Sequence, residues 1–284
     1  MISNVAGENE RESVSFSVVN RRFTEDDTEA MRKDYSSDLT DSQWHKVKAV
    51  LNTSRHRQHD LRRDILDAIF YVVKTGCQWR MLPGGFAPWQ TVYYYFRTWK
   101  QRGVIEHLLS IARRSARQKA GRAAAPRALV IDCQSVPITR SDGLCGFNGN
   151  KKVKGRKRHI VTDTQGWTWA VGVHAANEHE SQHAFSLIER ADRRSERLEA
   201  VFADKAYRGD LKDDLTEVLG LRLEITTSKS DEPGFSVEPK RWIVERTLGW
   251  LGGWRRLSKE YERLAETSAA MVQLASLRLA LSRL

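Results

Sequence analysis

Cysteine is scarce in this chain: Cys77, Cys133 and Cys145 are the only three in 284 residues, with no Cys-x-x-Cys pair among them. An odd, unpaired set excludes a disulfide framework and a zinc ribbon, and it suits a reducing, cytoplasmic location. Long apolar runs are also missing. No stretch approaches the about 20 consecutive apolar residues that a membrane-spanning helix needs, and the opening MISNVAGENERESVSF lacks the basic-then-apolar pattern of an export signal. Neither membrane anchoring nor export is expected. There is no internal repeat. Acidic side chains are in deficit, with 36 Asp and Glu against 47 Lys and Arg, so the formal charge is +11. Such an excess favours a polyanionic partner, because a phosphate backbone releases condensed counterions when basic side chains neutralise it.

What is present suffices for a large folded core, since 40% of the residues are hydrophobic. Residues 1–35 are polar, aperiodic and mixed in charge, which predicts a disordered tail, and Met31 offers an alternative start. From Thr40 and Asp41, which can cap a helix, Trp44, Val47, Val50 and Leu51 recur at helical spacing. Leu61, Ile65, Ala68, Ile69, Val72 and Val73 then repeat the pattern up to Gly76. After the turn-forming run from Pro83 to Pro88, a third helix opens at Trp89, and a fourth follows Gly103 and carries Arg113, Arg114, Arg117 and Lys119. Residues 36–120 therefore read as a helical, helix-turn-helix-like DNA-binding domain. Trp44, Trp79 and Trp99 are expected in its core.

Past the small-residue linker 121–126 the periodicity changes. Strands are predicted over 128–132, 158–162 and 167–174, the last two joined at Gln165-Gly166. A helix over 181–191, a strand over 198–203, a helix over 211–219, a strand over 221–226 and a helical C-terminus complete the order. This is the element order of an α/β, ribonuclease-H-like catalytic domain, a mixed sheet flanked by helices, spanning 126–284.

Asp132 closes an apolar strand, where a lone carboxylate costs several kcal/mol unless it is paired, protonated, exposed or metal-bound. Asp204 closes the strand Val201-Phe202-Ala203 in the same way. Adjacent strand tips lie about 4.8 Å apart, so two such acids would repel without a divalent cation between them. Glu245, on a predicted helix with Ile243, Val244, Leu248 and Leu251, can supply a third arm. All-oxygen ligands suit Mg²⁺, with Mn²⁺ as a substitute, and a pair of ions roughly 3.5–4 Å apart is suited to displacement at phosphorus.

On these residues and on several ordered blocks, the chain resembles the DDE transposases of bacterial insertion sequences, the group named after insertion sequence five. The blocks include Asp38-Leu39-Thr40-Asp41-Ser42-Gln43-Trp44, Gly76-Cys77-Gln78-Trp79-Arg80-Met81-Leu82-Pro83 and Asp132-Cys133-Gln134-Ser135-Val136. Ala203-Asp204-Lys205-Ala206-Tyr207-Arg208-Gly209 and Val244-Glu245-Arg246-Thr247 extend them. The resemblance implies that Asp132, Asp204 and Glu245 are catalytic and metal-binding, and that Arg241 matches an arginine four positions before the glutamate. It implies cleavage of double-stranded DNA at terminal inverted repeats, transfer of the 3′-hydroxyl to target DNA, a homodimer or larger complex, and association with the nucleoid. The wider superfamily's tyrosine and lysine are replaced by Glu238 and Gly252, which passes the later basic role to Arg255, Arg256 or Lys259.

Further DNA contacts are expected from the basic run Lys154, Arg156, Lys157 and Arg158, read as a loop gripping phosphates, and from Lys205, Arg208 and Arg246. Arg97, Lys100 and Arg102 are candidates for reading the terminal DNA. Stacking on bases falls to one of Trp89, Trp167, Trp250 or Trp254. Two other readings stand beside this one. The first is a transposase-derived DNA-binding protein without catalysis. The second is a zinc metalloprotease, because His179-Glu180-Ser181-Gln182-His183 satisfies His-Glu-x-x-His, although His179 falls at a turn and no third ligand helix follows.

Overall fold

The computed structural model describes residues 34–51, 59–139, 143–226 and 240–284. The expected tail lies almost wholly outside the described residues, as does Glu238. Helix α1 (Asp41–Leu51) is followed by a π-helical turn, Leu61–Leu66, whose first amides Arg62 and Arg63 are capped by the Asp60 carboxylate. That turn runs into α2 (Asp67–Thr75), which stops where Gly76 takes a left-handed conformation at φ 72°. Helices α3 (Trp89–Gln101) and α4 (Val104–Lys119) complete the helical third.

Six strands follow: β1 (Ala128–Pro137), β2 (Gly146–Asn148), β3 (Val153–Asp163), β4 (Thr168–Ala175), β5 (Ala200–Ala203) and β6 (Arg222–Ile225). Helix α5 (Ser181–Asp192) precedes β5, and α6 (Leu211–Leu219) joins β5 to β6. The chain ends with α7 (Arg241–Gly252) and α8 (Ala265–Leu281). The sheet runs β2-β3-β1-β5-β6, with β4 also on β3. Strands β1 to β4 are antiparallel neighbours, whereas β1, β5 and β6 are parallel. This mixed sheet with flanking helices is the expected ribonuclease-H-like arrangement.

Alternation along each strand divides the core in two. Leu129, Ile131, Val161 and Val201 face α5 and α6, while Ile160 and Val171 face the other way, into a cluster shared by α1 to α4 and α8. The helical third therefore has no separate core: Leu108, Ala112, Leu274 and Leu277 pack in one apolar cluster. Arg113 and Arg117, fully or nearly buried, clamp α4 onto the β3–β4 hairpin. Arg113 donates to Glu106 at 2.9 Å and to the Thr168 carbonyl at 3.2 Å, and Arg117 donates to Asp163 at 2.6 Å. Trp99 is buried, and Trp44 and Trp79 pack at the edge of this core.

Two sequence expectations need correction. Strand β1 does not end at Asp132 but continues to Pro137, because β3 pairs with it along its whole length, from Leu129 opposite Asp163 to Pro137 opposite Gly155. The basic run after Lys154 is not a loop; it is the first half of β3, and β2 is an additional short strand beside it.

Candidate active site

The parallel pairing of β1 with β5 ends at Val130 opposite Phe202, and β5 stops at Ala203. Two residues further on, Asp132 and Asp204 are level with each other on neighbouring strands and on the same face. Asp204 leaves the sheet by capping a short 3-10 turn, accepting from the Ala206 amide at 2.9 Å. Asp132 accepts from the Cys133 amide at 2.7 Å. Burial pushes its pKa up to about 6, and the charges of Asp204 and Glu180 add to that while Arg241 opposes it.

The face that carries both aspartates also carries Val130 and Phe202, and Val244 of α7 packs against them. Helix α7 is held there by the β3–β4 turn. Thr247 Oγ1 donates to the Gly166 carbonyl at 3.0 Å and Arg246 donates to the Gln165 carbonyl at 2.9 Å. Gly166, at φ +92°, is required at this contact, since a Cβ would lie 2.7 Å from Thr247 Oγ1. Glu245 follows Val244 and is exposed, accepting from Arg241 Nη2 at 3.2 Å. Arg241 therefore links the acids electrostatically: it pairs with Glu245 and lowers the pKa of Asp132. The carboxylates are not drawn into a tight cage. Among the described residues, the cluster whose ligand atoms all lie within 4.8 Å of one another is His174, Glu178 and His183, not these three acids.

Residues 123–279 match the family model described as "Transposase DDE domain". The chain is a DDE transposase. Residues 39–109 match a second model, "Putative transposase of IS4/5 family". Among curated proteins, the "Putative transposase for insertion sequence element IS402" of Burkholderia cepacia is 29% identical over 175 residues, 58% of this chain and 82% of that relative. This DDE transposase is thus an enzyme acting on DNA with a divalent metal. The candidate acids would fit one, since they offer carboxylate oxygens alone and burial penalises the charge of Asp132 until a cation compensates. No helix among the described residues is long and apolar enough to cross a membrane.

The basic residues of the transposase divide by burial. Lys154, Lys205, Arg208, Arg255, Lys259, Arg97 and Arg102 are exposed. Arg156, Lys157 and Arg158 are buried, which overturns their reading as a phosphate-gripping loop. Arg156 donates to the carbonyls of Leu144, Glu262 and Arg263 at 2.6–2.8 Å. Arg158 donates to Glu260 at 3.1 and 3.2 Å and to the Leu257 carbonyl at 2.6 Å. Lys157 points to the opposite face, 2.8 Å from the Glu178 carbonyl. The physical reason is strand alternation: Arg156 and Arg158 sit under the C-terminal segment around Glu260, so their charge is consumed internally.

Lys100 is bonded to Thr267 at 3.0 Å, and Arg246 lies between Trp242 and Trp250 at 4.6 and 4.5 Å. Arg255, Arg256 and Lys259 do not continue the helix of Glu245, because α7 stops at Gly252. Arg256 is taken up by Glu262 at 2.6 Å and the Cys77 carbonyl at 3.1 Å. Of the tryptophans considered for stacking, Trp254 is buried beneath Lys74, and Trp89 carries Arg80 5.2 Å from its ring.

The His-Glu-x-x-His reading fails geometrically. His179 is exposed ahead of α5, bonded to Ser181 at 2.8 Å, so the two histidines do not share a helix face. Its Glu180 has a different place that sequence reasoning missed. It accepts from the Cys133 thiol, pairs with Lys157 at 3.4 Å and raises the pKa of Asp132. The sequence signal for it was only an acidic residue just before a helix.

Proposed function

We propose that this transposase nicks double-stranded DNA at the inverted repeats ending its element and transfers the freed 3′-hydroxyl into target DNA, with Asp132, Asp204 and Glu245 holding a pair of Mg²⁺ ions. The observation that carries this is the placement of two aspartates level on adjacent parallel strands, on the face covered by the helix of Glu245. When bound, Mg²⁺ or Mn²⁺ would supply charge neutralisation for the attacking and leaving oxygens. The chain itself supplies the rest. Asp132 must be ionised to act as a ligand, and Arg241 favours that ionisation. Glu245, paired with Arg241 at 3.2 Å, would join the aspartates as the third ligand. Lys205 and Arg208 flank Asp204 and, with Lys154, Arg255 and Lys259, are positioned for backbone phosphates.

The helical region 36–120 would read the terminal repeats through Arg97 and Arg102, and two active sites on paired ends call for a homodimer or larger complex, located on the nucleoid. The test is incubation of the purified protein and its flanking genomic DNA with Mg²⁺, followed by mapping of the cut ends. Cleavage at the repeats that disappears in Asp132→Asn and Asp204→Asn, with specific end binding kept, is the expected result. Repeat binding without cleavage in the parent protein would identify a catalytically inactive relative instead.

A further inference from the structure

On the opposite face of the sheet from Asp132, His174 at the end of β4 meets Glu178 of the following turn and His183 in the first turn of α5. Their ligand atoms all lie within 4.8 Å of one another. The Glu178 Oε2 atom stands between two imidazole nitrogens, 3.7 Å from His174 Nδ1 and in a close hydrogen bond with His183 Nε2. The two rings stack with centroids 3.9 Å apart. We propose that His174, Glu178 and His183 form a binding site for a borderline divalent transition-metal ion of the Zn²⁺ class, separate from the carboxylate site for hard cations.

Three features beyond the cluster itself support this. The first is spacing. Two donors each about 2.1 Å from a tetrahedral ion are roughly 3.4 Å apart, so His174 Nδ1 and Glu178 Oε2, at 3.7 Å, need to move little.

The second is the support behind His174. Its Nε2 is 2.9 Å from His159 Nδ1, and His159 Nε2 is 2.8 Å from the Tyr207 hydroxyl, with His159 and Tyr207 fully buried. In one tautomer of this chain, His174 Nε2–H donates to His159 and His159 Nε2–H donates to Tyr207. That leaves His174 Nδ1 unprotonated, 3.7 Å from Glu178 Oε2. A buried acceptor behind the ring is the outer-shell arrangement that orients metal-binding histidines. The other tautomer, with Nδ1–H donating to the Ala175 carbonyl at 3.0 Å, serves the metal-free chain.

The third is access. His174 and His183 line a groove of about 650 Å³ between α5 and α8, beside β4 at the sheet edge, so a fourth position is open to water or a ligand. Two imidazoles and one carboxylate suit Zn²⁺ or Fe²⁺ and discriminate against Mg²⁺, which prefers oxygen. Binding would displace the proton shared by His183 and Glu178. His183 is the one residue of the His-Glu-x-x-His motif that takes part.

The test is Zn²⁺ titration of the full chain by calorimetry in excess Mg²⁺, with Co²⁺ as an optical probe. Expected are one Zn²⁺ per chain and visible Co²⁺ bands that Zn²⁺ abolishes. The affinity should fall about 100-fold or more in His183→Ala and in Glu178→Ala, beyond the 10- to 100-fold of an outer-shell change. Asp132→Asn should bind as the parent does, and circular dichroism establishes that each variant is folded. Zn²⁺ binding unchanged in folded His183→Ala, binding lost in Asp132→Asn, or no Zn²⁺ taken up by the folded parent would each overturn the proposal.

Discussion

Removing the Glu260 carboxylate separates the two readings of the basic strand β3. Glu260 is 1% exposed; it accepts from Arg158 and from Ser268 at 2.7 Å and lies 3.7 Å from Arg156 Nη1. Deleting one partner of a buried ion pair costs about 3–5 kcal/mol, because the opposite charge is left uncompensated in a low-dielectric site. Here two guanidiniums lose the carboxylate paired with them, although both keep backbone carbonyl partners and Glu262 still acts on Arg158. Glu260→Ala should therefore cost about 3–5 kcal/mol, and Glu260→Gln, which retains one acceptor, about 2–3 kcal/mol. Against a domain stability of about 5–15 kcal/mol, either is a large fraction. With a urea slope near 3 kcal/mol/M, the unfolding midpoint should drop by about 1–1.7 M in Glu260→Ala and by about 0.7–1 M in Glu260→Gln. The control is Lys154→Ala on the same strand but exposed, which should stay within about 0.5 kcal/mol yet reduce the salt slope of DNA binding by about 1. A Glu260→Ala protein within about 0.5 kcal/mol of the parent would refute the internal pairing and return Arg156 and Arg158 to the DNA surface.

Other outcomes follow from the acids and the helix that bears the third. Burial holds the folded-state pKa of Asp132 at about 6, above the ordinary carboxylate value of 3.8, so stability is lost as pH rises from about 4 to about 6, the full penalty stands above 6, and there is none below about 4. In metal-free buffer Asp132→Asn should accordingly be more stable than the parent at pH 7, with the gain shrinking at pH 5 and vanishing near pH 4; equal gains at all three, read by urea denaturation, would contradict the burial. Glu245→Gln, at an exposed helix position, should leave stability within about 0.5 kcal/mol while abolishing DNA cleavage, and retained cleavage would remove Glu245 from the site. Gly166→Ala should cost about 1–3 kcal/mol and reduce cleavage together, because the new methyl group displaces α7; full activity at parental stability would show that the turn does not position Glu245.

Much of this molecule was readable from pattern alone. Apolar runs ending in Asp132 and Asp204, and helical spacing around Glu245, follow from local periodicity, and local periodicity survives into the fold. The helix ending at Gly76 and the β3–β4 turn at Gly166 were likewise marked by residues whose backbone requirements are local. The basic run was misread for the converse reason. Alternating Arg156, Lys157 and Arg158 look solvated because nothing nearby in sequence offers a partner; Glu260 lies about a hundred residues away.

Charge balance, most of the helix and strand order and the spacing that singles out the three candidate acids are properties of the chain read residue by residue. Which charges face water, and which side chains meet across the sheet, are not. Strand register set Asp132 level with Asp204, strand alternation turned Arg158 toward Glu260, and the return of α5 over β4 stacked His183 on His174. Each of these is a contact between segments far apart in sequence, whose energy exists only once burial has removed the competing water, and that is decided by packing.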